Sequence, residues 1–238
     1  MSELFGGQHV GPFTFYYSWI GTFLFVVVSI VVAKIYGKHH NLKDVEKFAD
    51  LILMSVMIWI IIWKGSGMLP VAKDLFVAPV KVLFAAPASG ADKAAVIAVI
   101  LYTVLTVKRV KPVLAEWLDL CAVSITAGLI PFFLLHLELG QQIGWPWGIL
   151  ITGRRYTPVN FYEVFILLCS LVMSLYGAKA IHGLRGSYLL ALVGVGSLFV
   201  SLFSESLTLW ILLSPTQWGL LATGGFGLWG MKRFTTLT

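Results

Sequence analysis

Residues 114–163 carry the pattern that decides the fold, LAEWLDLCAVSITAGLIPFFLLHLELGQQIGWPWGILITGRRYTPVNFYE. An apolar run begins with an acidic pair and ends in a turn rich in Gly, Pro and Trp. Two adjacent arginines, Arg154 and Arg155, follow this turn, and Glu163 stands at the start of the next apolar run. Polar groups at the mouth of a membrane segment are costly unless they are paired, hydrated or functional. We therefore expect any functional site to lie in this stretch.

The composition of the 238-residue chain is that of a polytopic integral membrane protein. Hydrophobic residues make up 58% of the chain and charged residues 12%, and the mean hydropathy is +0.89. A soluble domain carries about a quarter charged residues. A membrane core of about 30 Å takes roughly 20 apolar residues per helix. We expect one integral domain over residues 1–238. The net charge of +6 lies in short loops between apolar runs, so no nucleic-acid partner is expected.

The apolar runs predict an all-α fold with about seven transmembrane helices. The predicted spans are, in order, 12–36, 48–63, 92–107, 113–139, 159–180, 187–203 and 205–230. Basic clusters follow the first, third, fifth and seventh of these spans. Because Lys and Arg are enriched in cytoplasmic loops, the N-terminus is expected outside and the C-terminus in the cytoplasm. The segment Val71–Pro87 is apolar but broken by prolines, so it either lies on the outer face or adds a short span.

Polar side chains near the span ends are the candidate site residues. Glu116 and Asp119 are three residues apart and share a helix face, and a structural role is favoured for both. His136 stands near the end of a span, where a histidine is more often an interface residue than a catalyst. His39 and His40 lie in a basic loop without Cys or carboxylate at ligand spacing. They are therefore expected to be solvated rather than to bind a metal.

The predicted topology places two arginines on the outer side, although Lys and Arg are enriched in cytoplasmic loops. These two side chains therefore require an anionic partner. Arg154 and Arg155 either contact anionic lipid head groups, with Tyr162 close by, or pair with Glu163. Both interpretations remain open at this point. The two cysteines lie within apolar runs, and no phosphate-binding loop, dinucleotide fingerprint or metal-ligand spacing is present. The sequence therefore predicts neither a metal nor a cofactor.

Three short motifs in the central stretch resemble those of one family. Leu118–Leu120 is similar to an L-D-x that opens a signature helix, and Pro146–Gly148 matches a P-W-G turn. Tyr156–Glu163 resembles R-H-P-T-Q-L-Y-E and keeps its Pro, Tyr and Glu. In this order the motifs resemble the prolipoprotein diacylglyceryl transferases of bacterial plasma membranes. These enzymes move a diacylglyceryl group from phosphatidylglycerol to the cysteine thiol of a lipoprotein precursor. The resemblance implies a multi-pass protein of the bacterial plasma membrane with seven spans in the same orientation.

The chain departs from this family at the catalytic positions. The family's G-R-x-G-N-F-x-N-G-E signature falls on residues 128–137, where its Arg and both Asn positions are apolar. Its H-G-G motif falls on Lys93–Ala95, so the His is absent. A glyceryl-phosphate leaving group needs cationic stabilisation, and a thiol needs a proton acceptor. Arg154, Arg155, Lys93 and Glu163 could rebuild part of this chemistry. The candidate catalytic residues are Glu163, Lys93 and His136.

Three functions follow from these residues. The favoured one is a transferase-like fold that has lost the reaction and acts as a lipid-binding or scaffold subunit of a membrane complex. Its partners would be phospholipids, among them phosphatidylglycerol, and other membrane proteins. The second is an active, divergent phosphatidylglycerol-dependent transferase, in which Arg154 or Arg155 binds phosphate and Glu163 orients it. The third is a small transporter, with Glu163 and Glu205 as the carboxylates closest to the membrane.

Overall fold

The computed structural model describes residues 8–10, 13–15, 17–76, 82, 86–136, 138–144, 146, 148–177, 181–204 and 213–235. Within these residues the chain forms seven α-helices and one 3-10 helix, Leu69–Phe76. The α-helices are α1 (Tyr17–His39), α2 (Val45–Met68), α3 (Ala91–Val110), α4 (Leu114–Leu135), α5 (Val159–Gly177), α6 (Leu184–Ser201) and α7 (Pro215–Thr235). Each predicted span overlaps one α-helix. The ends differ by several residues because caps and loops, rather than hydropathy alone, set helix boundaries.

Four of these helices are long and apolar enough to cross a membrane. They cover Ile20–His39, Leu114–Leu135, Val159–Gly177 and Leu184–Ser201. Each has 18 to 22 residues, which at 1.5 Å per residue suits a hydrocarbon core of about 30 Å. The prediction from composition is therefore confirmed to this extent: the described chain is mainly helical and contains four helices that could cross a membrane.

Two predictions fall partly on residues outside the described ranges. In the segment Val71–Pro87, the 3-10 helix ends at Phe76, and residues 77–81 and 83–85 lie outside the described part. The last predicted span begins at Glu205, which also lies outside it. Helix α7 starts only at Pro215. Proline suits a first helical position because its missing N–H would have no partner there.

The residues group into two compact units. Unit 1 comprises residues 1–43 and 113–238, and unit 2 comprises residues 44–112. The single integral domain stays a prediction, and each unit is described by itself. In unit 2, helices α2 and α3 pack together. The Ser66 hydroxyl donates to the Trp63 carbonyl and accepts the Ala88 N–H, which ties the end of α2 to the chain before α3.

Two helix pairs in unit 1, α1–α4 and α6–α7, pack closely in antiparallel orientation. In the α1–α4 pair, Gly21 lies against Phe132 and Ser29 lies against Gly128. In the α6–α7 pair the two helix backbones approach each other closely. A methyl group at Gly227 would lie 2.6 Å from the Ser187 carbonyl oxygen and would overlap the backbone of Ala191. Small residues let helix backbones approach this closely in a membrane.

Strands interrupt the helical pattern, so the all-α prediction is incomplete. A two-stranded hairpin pairs β1 (Gln8–Val10) with β2 (Phe13–Phe15). A three-stranded antiparallel sheet has the order β3–β5–β4, formed by Leu139–Gln142 (β3), Ile149–Ile151 (β4) and Arg154–Pro158 (β5).

The turn between β4 and β5 explains why the sheet forms. Thr152 and Gly153 both have positive φ, 46° and 80°. Two such residues make the tight turn whose twist matches antiparallel strands. The sequence contains a signal for this hairpin, namely the apolar stretch Ile149–Ile151 followed by the two-residue Thr-Gly turn. The prediction of a turn over this region omits the strands.

The antiparallel packing gives unit 1 two distinct ends. We call the end that holds strands β3, β4 and β5 the sheet end. The opposite end holds His40, Asp119, His182 and Arg185, and we call it the histidine end. Helix α4 connects the two, since Asp119 lies near its start and β3 begins shortly after its last residue.

Candidate functional site

The two arginines predicted to bind lipid lie on strand β5 at the sheet end. The Arg154 side chain is exposed. The Arg155 guanidinium donates a hydrogen bond to the Pro146 carbonyl oxygen. Among the residues that the structure describes, neither arginine forms an ion pair with Glu163. The Arg155 contact ties β5 to the loop that precedes β4. Among the described residues, the predicted pairing of these arginines with Glu163 is absent.

Glu163 and Tyr162 make separate contacts within the sheet end. The buried Glu163 carboxylate accepts a 2.6 Å hydrogen bond from the Ser197 hydroxyl of α6. The Tyr162 ring meets the Phe203 ring edge to face, with 6.4 Å between centroids. Glu163 thus links α5 to α6 through a hydrogen bond. Tyr162 packs against Phe203, which follows α6.

The other two candidates, His136 and Lys93, have exposed side chains. His136 is exposed and stacks on Phe132 within α4, with ring centroids 5.3 Å apart. This agrees with an interface position. Lys93 is exposed on α3, in unit 2. Within the described part of unit 1, the sheet end does not bring Arg154, Arg155, His136 and Glu163 into mutual contact.

The histidine end is organised by Asp119. Its side chain is only 2% exposed, and its two carboxylate oxygens accept the N–H groups of Gly183 (2.8 Å) and Gly186 (2.6 Å). These groups belong to the first turn of α6, where the backbone donors have no partner within the helix. A carboxylate is also favoured there by the helix dipole. The structural role expected for Asp119 is confirmed: α4 supplies the N-terminal cap of α6.

Glu116 has a similar function three residues earlier. Its carboxylate accepts the backbone N–H of Lys43 at 2.8 Å. Lys43 lies in the turn that follows α1. The acidic pair of α4 therefore fixes two chain segments at the histidine end, the turn after α1 and the start of α6.

The start of α6 places Arg185 against the end of α1. Its guanidinium lies 2.9 Å from Nε2 of His40 and interacts with the Tyr36 hydroxyl. The Tyr36 and His40 rings lie 4.4 Å apart, one helical turn from each other. Within the described residues, the buried Nε of Arg185 has no hydrogen-bond partner. The Arg185 side chain also lines the adjoining cavity.

The contact between Arg185 and His40 fixes the protonation state of the imidazole. A guanidinium has donors only, so His40 must accept at a ring nitrogen and is neutral in this arrangement. Burial lowers the pKa of His40, and the positive charge of Arg185 lowers it further, with smaller effects from His39 and His182. The expectation that both neighbouring histidines are solvated is therefore wrong for His40, while His39 is exposed.

A cavity of about 420 Å³ adjoins this cluster. Its walls are mainly apolar side chains of α1, α4 and α5, namely Val32, Ile35, Val123, Ala127, Leu171 and Leu175. Its polar lining comes from Tyr36, His39, His40 and Arg185, with Tyr176 of α5 also present. An apolar pocket with a few convergent polar groups is the usual form of a small-molecule site.

Sequence reasoning missed this site because its residues come from distant parts of the chain. Tyr36 and His40 share a helix face by their spacing of four, but Arg185 is 145 residues away. Among the described residues, no three His, Cys, Asp or Glu side chains group closely enough to hold a metal ion. The cluster instead combines a guanidinium, imidazole rings and a phenol at the edge of an apolar cavity.

Comparison with known proteins gives no family for this chain. Neither the protein-family models nor the curated proteins contain a match to its sequence. The resemblance to the diacylglyceryl transferases stays a prediction from the sequence motifs.

Proposed function

We propose that this protein is a lipid-binding membrane protein that holds an anionic phospholipid at the histidine end of unit 1. The observation that carries the proposal is the cavity whose mainly apolar lining also includes the polar side chains of Arg185, His40 and Tyr36. An acyl chain suits the apolar walls, and a phosphate suits a guanidinium. The lipid would bind without being cleaved, so the protein acts as a scaffold or subunit of a membrane complex.

The positive-inside rule supports an orientation for this site. We propose about seven spans in a bacterial plasma membrane, with the N-terminus outside and the C-terminus in the cytoplasm. Basic residues gather in the described part of the histidine end, at Lys38, Lys43, Arg185, Lys232 and Arg233. Lys and Arg are enriched on the cytoplasmic side, so the bound lipid would belong to the inner leaflet. Arg154, exposed at the other end, would contact outer head groups.

The contacts at the sheet end argue against transfer chemistry there. A transferase has to stabilise a phosphate leaving group and activate a thiol. Arg155 is engaged by the Pro146 carbonyl, and Glu163 by the Ser197 hydroxyl. These contacts favour a binding function over a divergent transferase that uses Arg155 and Glu163.

Native mass spectrometry of the full chain tests lipid binding. The purified protein would be delipidated in detergent and mixed with equal amounts of phosphatidylglycerol and phosphatidylcholine. We expect selective retention of the anionic lipid. Arg185→Gln should weaken its retention by about tenfold, since a hydrogen bond to a charged group contributes roughly 1.5–3 kcal/mol. Arg155→Gln, the matched arginine of the sheet end, should leave retention at the wild-type level. Equal loss in both variants, or no preference for the anionic lipid, would contradict the proposal.

A transfer assay tests the alternative of an active enzyme. The protein would be placed in phosphatidylglycerol nanodiscs with a peptide that carries a lipoprotein cysteine motif. We expect no diacylglyceryl transfer in the wild type. Transfer that disappears in Arg155→Ala would overturn the binding-only function and would place a phosphate site on β5.

A further inference from the structure

We propose that the histidine end selects a phosphate monoester head group, as in phosphatidic acid, and takes up a proton on His40 when it binds. This inference rests on the lipid-binding function proposed above and names the lipid class and its regulation. It follows from three features of the cluster: the kinds of polar group it presents, its net charge, and the contact between His40 and Arg185.

The polar groups around the cavity are hydrogen-bond donors for an anion. Arg185 can only donate, and Tyr36, His39 and His40 can all donate when an acceptor is present. Among the described residues that line the cavity there is no carboxylate, and the two oxygens of the neighbouring Asp119 already accept the N–H groups of Gly183 and Gly186. A phosphate monoester offers three acceptor oxygens and needs no acceptor in return. The glycerol head group of phosphatidylglycerol would bring hydroxyl donors for which the cluster offers no carboxylate.

The charge of the cluster depends on its histidines. The formal charges of Arg185 and Asp119 cancel, so a proton on His40 would give these three side chains a net positive charge. Each histidine that takes up a proton adds one positive charge. A dianionic head group therefore binds most strongly when binding is accompanied by proton uptake.

Protonation of His40 would change its contact with Arg185. Neutral His40 accepts from the guanidinium at 2.9 Å, whereas an imidazolium has no acceptor and would face Arg185 as a like charge. An anion between the two cations would accept from both and restore a favourable contact. The other titratable groups that face His40 are Tyr36 and His39 of α1, Asp119 of α4, and His182 beside α6. Helix α5 contributes Tyr176 to the cavity wall.

The phosphate could belong to a lipid or to a soluble phosphate ester. The apolar walls of the 420 Å³ cavity favour a lipid, because a soluble phosphate would leave them in contact with water. Inorganic phosphate therefore serves as the probe for the head group alone.

Isothermal titration of the full chain in detergent tests the inference. The ligands are short-chain phosphatidic acid, short-chain phosphatidylglycerol and inorganic phosphate. Two buffers with different ionisation enthalpies give the number of protons taken up. At about pH 7.5, above the ordinary histidine pKa of about 6.5, we expect uptake of about one proton with phosphatidic acid. Its affinity should exceed that of phosphatidylglycerol by about tenfold, the ratio that one more charge-assisted hydrogen bond provides.

Two histidine variants locate the proton. His40→Gln keeps an acceptor for Arg185 but cannot be protonated, so it should bind without proton uptake. His136→Gln removes the exposed histidine of the sheet end and should bind as the wild type does. Thermal unfolding of each variant, and His40→Asn as a second replacement, separate loss of binding from loss of folding.

Each result bears on a different part of the proposal. Phosphatidylglycerol that binds as tightly as phosphatidic acid would overturn the head-group class. Unchanged proton uptake in His40→Gln would overturn the assignment to His40. Inorganic phosphate that binds as tightly as phosphatidic acid would replace the lipid by a soluble ligand. Failure of both lipids to bind would instead overturn the underlying lipid-binding function.

Discussion

The two ends of unit 1 use their polar side chains in opposite ways. At the sheet end, Arg155 donates one of its five N–H groups to a backbone carbonyl, and Glu163 accepts from Ser197, so both side chains hold neighbouring segments of the protein together. At the histidine end, Asp119 holds the start of α6 in the same way, but Arg185 also lines an apolar cavity of about 420 Å³. The polar groups of the sheet end connect protein segments, whereas Arg185 stands where a ligand could be bound.

The residues that stand out in the sequence are therefore not the residues that line the cavity. Arg154 and Arg155 attract attention in the sequence because they are adjacent and fall on the predicted outer side. Arg185 lies in the first turn of α6 and gains its significance only from His40, Tyr36 and the cavity beside them. The contrast can be tested by variants that disturb one end while the other serves as the reference.

The largest effect is expected from Asp119→Ala. The change removes both acceptors from the N–H groups of Gly183 and Gly186 and leaves them buried without partners. We expect the free energy of unfolding to fall by about 3 kcal/mol, because an unsatisfied buried donor costs roughly 1–3 kcal/mol. Denaturation of the protein in mixed micelles measures this loss. Glu116→Ala, which releases a single N–H, is the matched control. Equal losses in the two variants would contradict the capping function of Asp119.

The next effect concerns the α6–α7 contact that supports the histidine end. In Gly227→Ala the new methyl group meets the backbone of Ala191 and the Ser187 carbonyl. Backbone atoms cannot move away easily, so we expect a loss of about 1–3 kcal/mol in the free energy of unfolding. Gly225→Ala lies two residues away, where an added methyl group meets nothing within 4 Å. Thermal unfolding of the pair compares them, and a stable Gly227→Ala protein would argue against this packing.

A smaller effect is expected at the sheet end from Glu163→Gln. The amide oxygen of Gln can accept the same hydrogen bond from Ser197, so the free energy of unfolding should change by less than about 1 kcal/mol. Lipid retention should stay at the wild-type level. A large loss of stability or binding would show that the charge of Glu163 is required, and would return the sheet end to consideration as the functional site.

The smallest effect is a pH dependence that comes from His40. Its pKa is lowered in the folded protein, so the unfolded chain binds the proton more readily. The contribution of His40 is therefore fully present above its ordinary pKa of about 6.5 and is lost as the pH falls through the lowered value. Unfolding followed from about pH 8 to about pH 5 should show this loss in the wild type and less of it in His40→Gln. Added phosphatidic acid should reverse the loss. An identical profile in both proteins would argue against His40 as a titrating group.

The positions of the helices could be predicted from the sequence, but the site could not. Apolar runs mark the helices, and four of those described are long and apolar enough to cross a membrane, because a span needs a long hydrophobic stretch whatever its neighbours are. The β4–β5 hairpin carried a usable signal in Thr152 and Gly153. The contact of Asp119 with Gly183 and of His40 with Arg185 depends on which helices pack together and in what order, and no local pattern contains that information.

The most direct test maps where a bound lipid lies. Phosphatidic acid with a photoreactive group at the end of one acyl chain would be bound to the wild-type protein, irradiated, and located by mass spectrometry of peptides. The account predicts labels on the cavity walls in α1, α4 and α5, around Val123, Ala127 and Leu171, and their loss in Arg185→Gln. Labels that concentrate on the sheet end and disappear in Arg155→Gln would contradict it.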